Sequence, residues 1–228
     1  MSIRTKVFLI IFVLFAALGI ADFIVQRFII YPSFLALEHR EVGENLQRIF
    51  HAIDRETYHV ERLCRDWATW NDSHDFMATG YEGFIESNLS DDSLDNISLN
   101  LLVFCDTRGN IVWSRVRDLK EKTTLRLGFM ADGRVDMAHT TLAVHLSPEG
   151  GRGKRGIFNT EAGPMLFATR EVLRSDGSGP TNGFLIMGRF LNETMLETLK
   201  EQTRLSFEIV APFDTAKMLC RTAGMKPM

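Results

Sequence analysis

Between Asp66 and Phe76 the chain reads D-W-A-T-W-N-D-S-H-D-F, two tryptophans three residues apart followed by carboxylates around an imidazole. Asp72, His74 and Asp75 carry donors of the kind that hold divalent metals. Adjacent ligands of this sort recur at acidic helix ends, and no further His or Cys pair completes a shell. No metal and no other cofactor is therefore expected. The structural expectation is that Trp67 and Trp70 anchor a helix on a sheet and that Asp72 accepts hydrogen bonds from a turn. The same types, aromatic rings beside a few polar groups, also line small-molecule pockets. Trp67, Trp70, Asp72 and His74 are thus candidate ligand-binding residues, together with Arg170 and Arg189 from later strands. Arginine's planar fork suits a carboxylate or a phosphate; a salt bridge to a local acid is the equal alternative for each.

Other chemistry is poorly supplied. Asp176-Gly177-Ser178-Gly179-Pro180 resembles a serine-protease nucleophile loop, but Gly177 separates Asp from Ser, and dense glycine between strands fits turns. No strand-to-helix nucleophile elbow, phosphate-binding glycine loop or H-E-x-x-H is present, so no catalytic residue is assigned and no enzymatic activity is expected. Three cysteines, Cys64, Cys105 and Cys220, are far apart and form no C-x-x-C, so neither zinc nor a disulfide framework can be read from them; Cys64 and Cys105 lie in apolar runs, which favours buried thiols. The formal net charge of −3 makes nucleic acid an unlikely partner.

The elements that must position these residues begin with an apolar segment. After Arg4 and Lys6, no polar residue occurs from Val7 to Ala21, and apolar character resumes from Phe23 to Val25 and from Phe28 to Ile30. At about 1.5 Å per residue such a helix crosses the roughly 30 Å core of a bilayer. Basic residues before the span place residues 1–6 in the cytoplasm and the remainder outside. Gly19-Ile20-Ala21 is also a passable signal-peptidase site, so a cleaved leader is the competing reading; both export the rest of the chain. The expected plan is a transmembrane helix over 7–30, an extracytoplasmic domain over 33–212 and a tail over 213–228.

Pro32 is expected to break the helix after the span. Beyond it, Leu35, Val42, Leu46, Ile49, Ile53, Val60, Leu63, Trp67 and Trp70 recur at spacings of three and four, a heptad seam interrupted by His39 and Glu56 and closed by D-S-H-D as a turn signal. Such a seam serves a helix packing on its own domain or a homodimer, and both can hold. Strands are expected at Leu99–Cys105 and Ile111–Val116 around the D-T-R-G-N turn, then at Met165–Leu173, Phe184–Phe190 and Leu205–Ala211, with a helix at Asn192–Thr203. Thr140–Leu146 fits a strand or a short helix. The result is an α+β domain on one mostly antiparallel sheet.

The Asp66–Phe76 segment resembles the D-W-A-x-W-D-D-x-Y-x-F signature of the fourth class of CHASE extracellular sensor domains, with Asn71 in place of the first paired Asp and His74 in place of Tyr. Ser87-Asn88-Leu89 resembles the family's short S-N element, and Leu102–Val112 its strand, D-x-x-G, strand hairpin. Arg174–Pro180 leading into Gly183–Arg189 is similar to its S-x-G-x-G-P-x-x-G-x-L-x-x-G-R run, although Glu171 stands where Pro is usual. The resemblance implies a PAS-like or Cache-like extracytoplasmic sensor, periplasmic in a bacterial inner-membrane protein; with the candidate residues above, a small-molecule ligand is the expected partner. Such domains commonly sit between two spans ahead of a diguanylate cyclase, phosphodiesterase or histidine kinase module. No second apolar span follows Ala211, so the chain reads as an input domain whose output lies elsewhere. A periplasmic protein-interaction or dimerisation module is the alternative, and a secreted hydrolase a more distant one.

Overall fold

The computed structural model describes residues 2–130, 132–135, 153–178, 180–209 and 221–222. The expectations for Thr140–Leu146, for Cys220, for the end of the last strand and for nearly all of the tail lie outside these residues. Chain contacts separate into two units, one ending at Ile49 and the other beginning at Phe50.

In the first unit Ser2 caps α1 (Ile3–Val25), its side chain accepting the Thr5 amide, and no residue of α1 is buried. By length and composition the helix could cross a membrane. The expected break at Pro32 is not found. Gln26–Ile30 form a π-helical turn, closed by the Tyr31 amide on the Gln26 carbonyl, and α2 (Tyr31–Ala68) follows directly. Proline removes one amide donor from a helix, and a π turn is where such a mismatch is taken up. The Ser33 hydroxyl adds a donor there, 2.6 Å from the Ile29 carbonyl. Along this part of α2 the seam residues Leu35 and Val42 stay 40% and 39% exposed.

In the second unit the seam residues Ile53 and Val60 are buried, along with their neighbours Ala52, Cys64 and Ala68. The stretch expected as a turn opens another helix instead, α3 (Asn71–Thr79), with Trp70 in an extended conformation as its N-cap. Asn71 and Asp72 suit a helix start because the first amides lack intrahelical partners and the dipole favours negative charge. Gly80, at φ 65°, ends α3 in the left-handed conformation with its amide on the Phe76 carbonyl. Two short helices were not foreseen, α4 (Glu82–Asn88) and α5 (Asp91–Asn96), the latter capped by Ser90. They bury Phe84 and Leu94.

The sheet comprises β1 (Leu101–Cys105), β2 (Ile111–Val116), β3 (Gly153–Thr160), β4 (Gly163–Glu171) and β5 (Phe184–Phe190). Its order is β2-β1-β5-β4-β3, and every neighbouring pair is antiparallel. Helix α6 (Glu193–Thr203), capped by Asn192, follows β5, and β6 (Phe207–Glu208) pairs with β7 (Arg221–Thr222). The architecture is the α+β arrangement on an antiparallel sheet that the sequence implies. Alternation divides the core between two faces. Leu102, Phe104, Ala168, Leu185 and Met187 join the α2–α5 cluster, whereas Leu101, Val103, Met165, Phe167 and Ile186 face Phe129 and Phe158 on the other side.

Candidate functional site

The six candidate residues fall into two groups. Trp67, Trp70, Asp72 and His74 sit at the junction of α2 and α3. Trp67 packs edge-on to Trp70, and Trp70 edge-on to Phe84, with centroids 6.4 and 6.3 Å apart. Phe84 stacks on Phe76 at 4.8 Å, and Phe76 meets Phe104 of β1 at 5.3 Å. An aromatic chain therefore ties the helix ends to the sheet, with Trp70 still 40% exposed at its outer end. Asp72 is exposed in the first turn of α3. The turn bond expected of it is made by its neighbour: the Asn71 Oδ1 accepts the Ser175 amide at 3.0 Å. His74 is buried at 7% exposure, with Nδ1 3.4 Å from Asp75 and its carbonyl accepting Asn182 Nδ2 at 3.1 Å. Among the described residues no group of three His, Cys, Asp or Glu side chains is arranged to hold a metal.

The G-x-L-x-x-G-R run serves the same junction. Gly183, at φ 137°, lies so close to β1 that a Cβ there would strike the Cys105 carbonyl. The Leu173 amide reaches the Ala68 carbonyl at 3.0 Å and so closes the loop before β5 onto the end of α2.

Arg170 and Arg189 lie elsewhere, on the sheet face that carries α2, and acids of α2 engage them. Arg170 of β4 pairs with Glu61. Arg189 of β5 stands 3.4 Å from Glu56. A third arginine, which sequence reasoning missed, completes the row: Arg155 of β3 reaches Asp54 at 3.0 Å and Glu61 at 3.3 Å, and lies over the Tyr58 ring at 5.2 Å. One arginine from each of three adjacent strands thus meets one side of α2. Asp54 and Glu61 are two turns apart, which places them on the same side of the helix. Glu56, the polar interruption of the heptad seam, has its partner here.

A second unforeseen network clasps the opposite edge of the sheet. Arg117, at the end of β2, bonds Asp95 at 3.0 Å and Asp91 at 2.8 Å, and Lys122 reaches Asp95 at 2.9 Å. Hydrogen bonds from Arg117 and then Lys122 hold the Asp95 carboxyl below its ordinary range. Cys64 donates toward the Ala168 and Leu185 carbonyls at 3.6 and 3.4 Å, and burial pushes its thiol well up. Burial likewise pushes the Cys105 thiol up to about 12. Neither is poised as a nucleophile at neutral pH.

A cleft of about 220 Å³ opens where β5 passes into α6. Lys120, Arg189, Asn100, Thr194 and Thr198 supply its polar wall, over Phe190 and Met195. Arg189 is the one candidate residue that borders both this cleft and α2.

Residues 52–210 match the family model of the CHASE4 domain. The methanogenesis regulatory histidine kinase FilI of Methanothrix harundinacea (strain 6Ac) is 26% identical over 177 residues, which cover 77% of this chain and 19% of that protein. Among solved structures, the extracellular domain of vpHK1S-Z8, assigned as a histidine kinase, superposes with a TM-score of 0.53 at 16% identity, over 79% of this chain and 72% of that one. A domain of a sensory box/GGDEF family protein from Vibrio parahaemolyticus does so with a TM-score of 0.54 at 14% identity, over 77% and 72%. At these identities the structural likeness is one of fold. The family match spans well over half of the sequence and covers both the aromatic junction and the arginine row: the chain belongs to the CHASE4 domain family.

Proposed function

We propose that this chain is the extracytoplasmic, stimulus-sensing input of a membrane signal-transduction protein, with α1 as its membrane anchor and the residues before it in the cytoplasm. The observation that carries the reading is α2 itself. It is helical from the residues next to the apolar segment to Ala68, and its far end is fixed to the ligand-candidate residues by the Trp67–Trp70 junction and to the sheet by three arginines. A stimulus that rearranges the domain is thereby read by a helix leading toward the membrane. A histidine kinase output is supported by the relative FilI, and diguanylate cyclase and phosphodiesterase are the other output types that the CHASE4 resemblance implies.

Protease protection tests the topology. In right-side-out cells or spheroplasts, external protease should degrade residues beyond Tyr31, and full protection would overturn the anchor's orientation. Thermal shift of the full chain against a metabolite and ion library tests sensing. A response abolished by Trp70→Ala or Arg170→Ala supports the reading, and silence across the library, with normal signalling by both variants in the complete receptor, opposes it.

A dimeric state is favoured by a separate observation: the seam that is buried at Ile53 and Val60 stays exposed at Leu35 and Val42. We read that stretch as a homodimer contact. Val42→Cys, in a background with Cys220→Ser, should oxidise to a covalent dimer in membranes; a purely monomeric product would exclude the contact.

A further inference from the structure

We propose that the cleft between β5 and α6 binds a small organic oxyanion and that binding loosens the hold of Arg189 on α2, an inference that rests on the sensor reading and names its ligand class. The chain as a whole carries more acid than base, yet the cleft is lined by two cations, Lys120 and Arg189, and by no carboxylate. Lys120 is exposed and forms no ion pair among the described residues. Arg189 keeps a third of its side chain exposed, and its contact with Glu56, at 3.4 Å, is long for a charge-assisted bond and uses only Nη1. The remaining edge of its fork is left for an anion.

The opposite wall adds neutral donors. Asn192 caps α6 by accepting the Met195 amide at 3.0 Å, which leaves the Thr194 amide among the first-turn donors without an intrahelical partner. The Thr194 side chain lies in the same wall. Phe190 and Met195 are 6% and 3% exposed and form an apolar floor. A floor of this kind beneath two cations fits a short carbon skeleton with a carboxylate or phosphate head. The volume of about 220 Å³ lies below the roughly 300–1,000 Å³ of drug-sized sites, which restricts the ligand to a small metabolite.

The link to signalling is Arg189. An anion on the free edge of the Arg189 fork brings a second negative charge to the guanidinium that Glu56 contacts, and the two anions repel, so occupancy and the α2 contact oppose each other. Reciprocity follows: removing the Glu56 charge must tighten anion binding by the factor by which the anion weakens the α2 contact.

The test uses the full chain in nanodiscs, titrated calorimetrically with propionate, methyl phosphate and the neutral propionamide. Binding of either anion but not of the amide, weakened at least about tenfold by Lys120→Glu and tightened about fivefold by Glu56→Gln, supports the site. The two anions separate a carboxylate from a phosphate head. Amide binding equal to anion binding, anion affinity unchanged in Lys120→Glu, or no heat with any of the three overturns it. A circular dichroism spectrum and melting temperature matching the parent's show that each variant is folded. Loss of this site leaves the sensor reading intact if external protease still reaches the domain. A domain protected from external protease removes the sensor reading, whatever the anions do.

Discussion

The two faces of the central sheet are built from different materials. The face toward α2 mixes apolar contacts at Val60, Cys64, Ala168 and Met187 with carboxylate–arginine pairs to β3, β4 and β5. The other face is almost wholly apolar, with Phe158 edge-on to Phe167 at 5.1 Å and Phe129 edge-on to Phe158 at 5.3 Å. Apolar burial is non-directional and tolerates small slips, whereas a row of ion pairs fixes which helical turn sits over which strand. The far face holds the domain together, while the near face sets the register of α2 on the sheet.

The largest effect should come from the far face. Phe167→Ala removes a fully buried ring from the centre of that cluster and is expected to cost about 3–5 kcal/mol, read from denaturant unfolding; a loss equal to that of a surface substitution would show the far face to be dispensable. On the near face, Glu61→Gln strips one carboxylate from both Arg155 and Arg170. With the pair about four-fifths buried, a loss of about 1–3 kcal/mol is expected. The Glu61→Met/Arg170→Met double variant should recover much of it, since an apolar pair replaces a buried ion pair at little cost. If the pairs set register, that stable double variant should still lose its response to stimulus.

The Arg117 clasp lies at the edge of the sheet and gives the pH dependence. Asp95 has a folded-state value below its ordinary 3.8, so its stabilising contribution is complete above about pH 4 and is lost as pH falls through the depressed value. Asp95→Asn should therefore lower stability at neutral pH and flatten acid unfolding below about pH 4, so that variant and parent converge as pH falls. The smallest effect is expected at Thr169. It shares the far face by alternation with Phe167, is 1% exposed, and its hydroxyl has no hydrogen-bond partner among the described residues. Thr169→Val should be neutral or stabilising by up to about 1 kcal/mol; a clear loss would show that the apolar face needs this hydroxyl.

Much of this architecture is legible in the sequence where alternation or composition is strong. The strands Ile111–Val116 and Phe184–Phe190 have the expected limits, and α6 is offset by its cap alone. Gly153–Thr160 carries no strand signal because G-K-R-G-I-F-N-T at a sheet edge lacks both alternation and β-branched enrichment. The short helices α4 and α5 escape because six or seven residues give too little periodicity to read. Of the site, the residue types are visible but their partners are not. Glu56 reads as a defect in a seam until β5 brings Arg189 to it, across more than a hundred residues of chain. Pro32 reads as a stop because one amide is counted as lost, whereas a widened turn accommodates it.

The D-T-R-G-N turn has a consequence for the order of folding. Asp106 accepts the Arg108 and Asn110 amides, each at 2.8 Å, and Gly109 takes φ 82°, so β1 and β2 meet through a loop that closes locally. Hairpins of this kind form in microseconds. The β3–β4 hairpin, turning at Glu161–Ala162, is equally local. Strand β5, which joins them, must find β1 across some eighty residues, and closing so long a loop is the slow, entropically costly step. Two hairpins are thus made early and wait for one strand, and pulse-labelled hydrogen exchange should protect Leu102–Arg115 before Leu185–Arg189. Because β5 also carries Arg189, one of the three arginines that meet α2 is among the last to be put in place, and a chain caught before that point holds its helix through β3 and β4 alone.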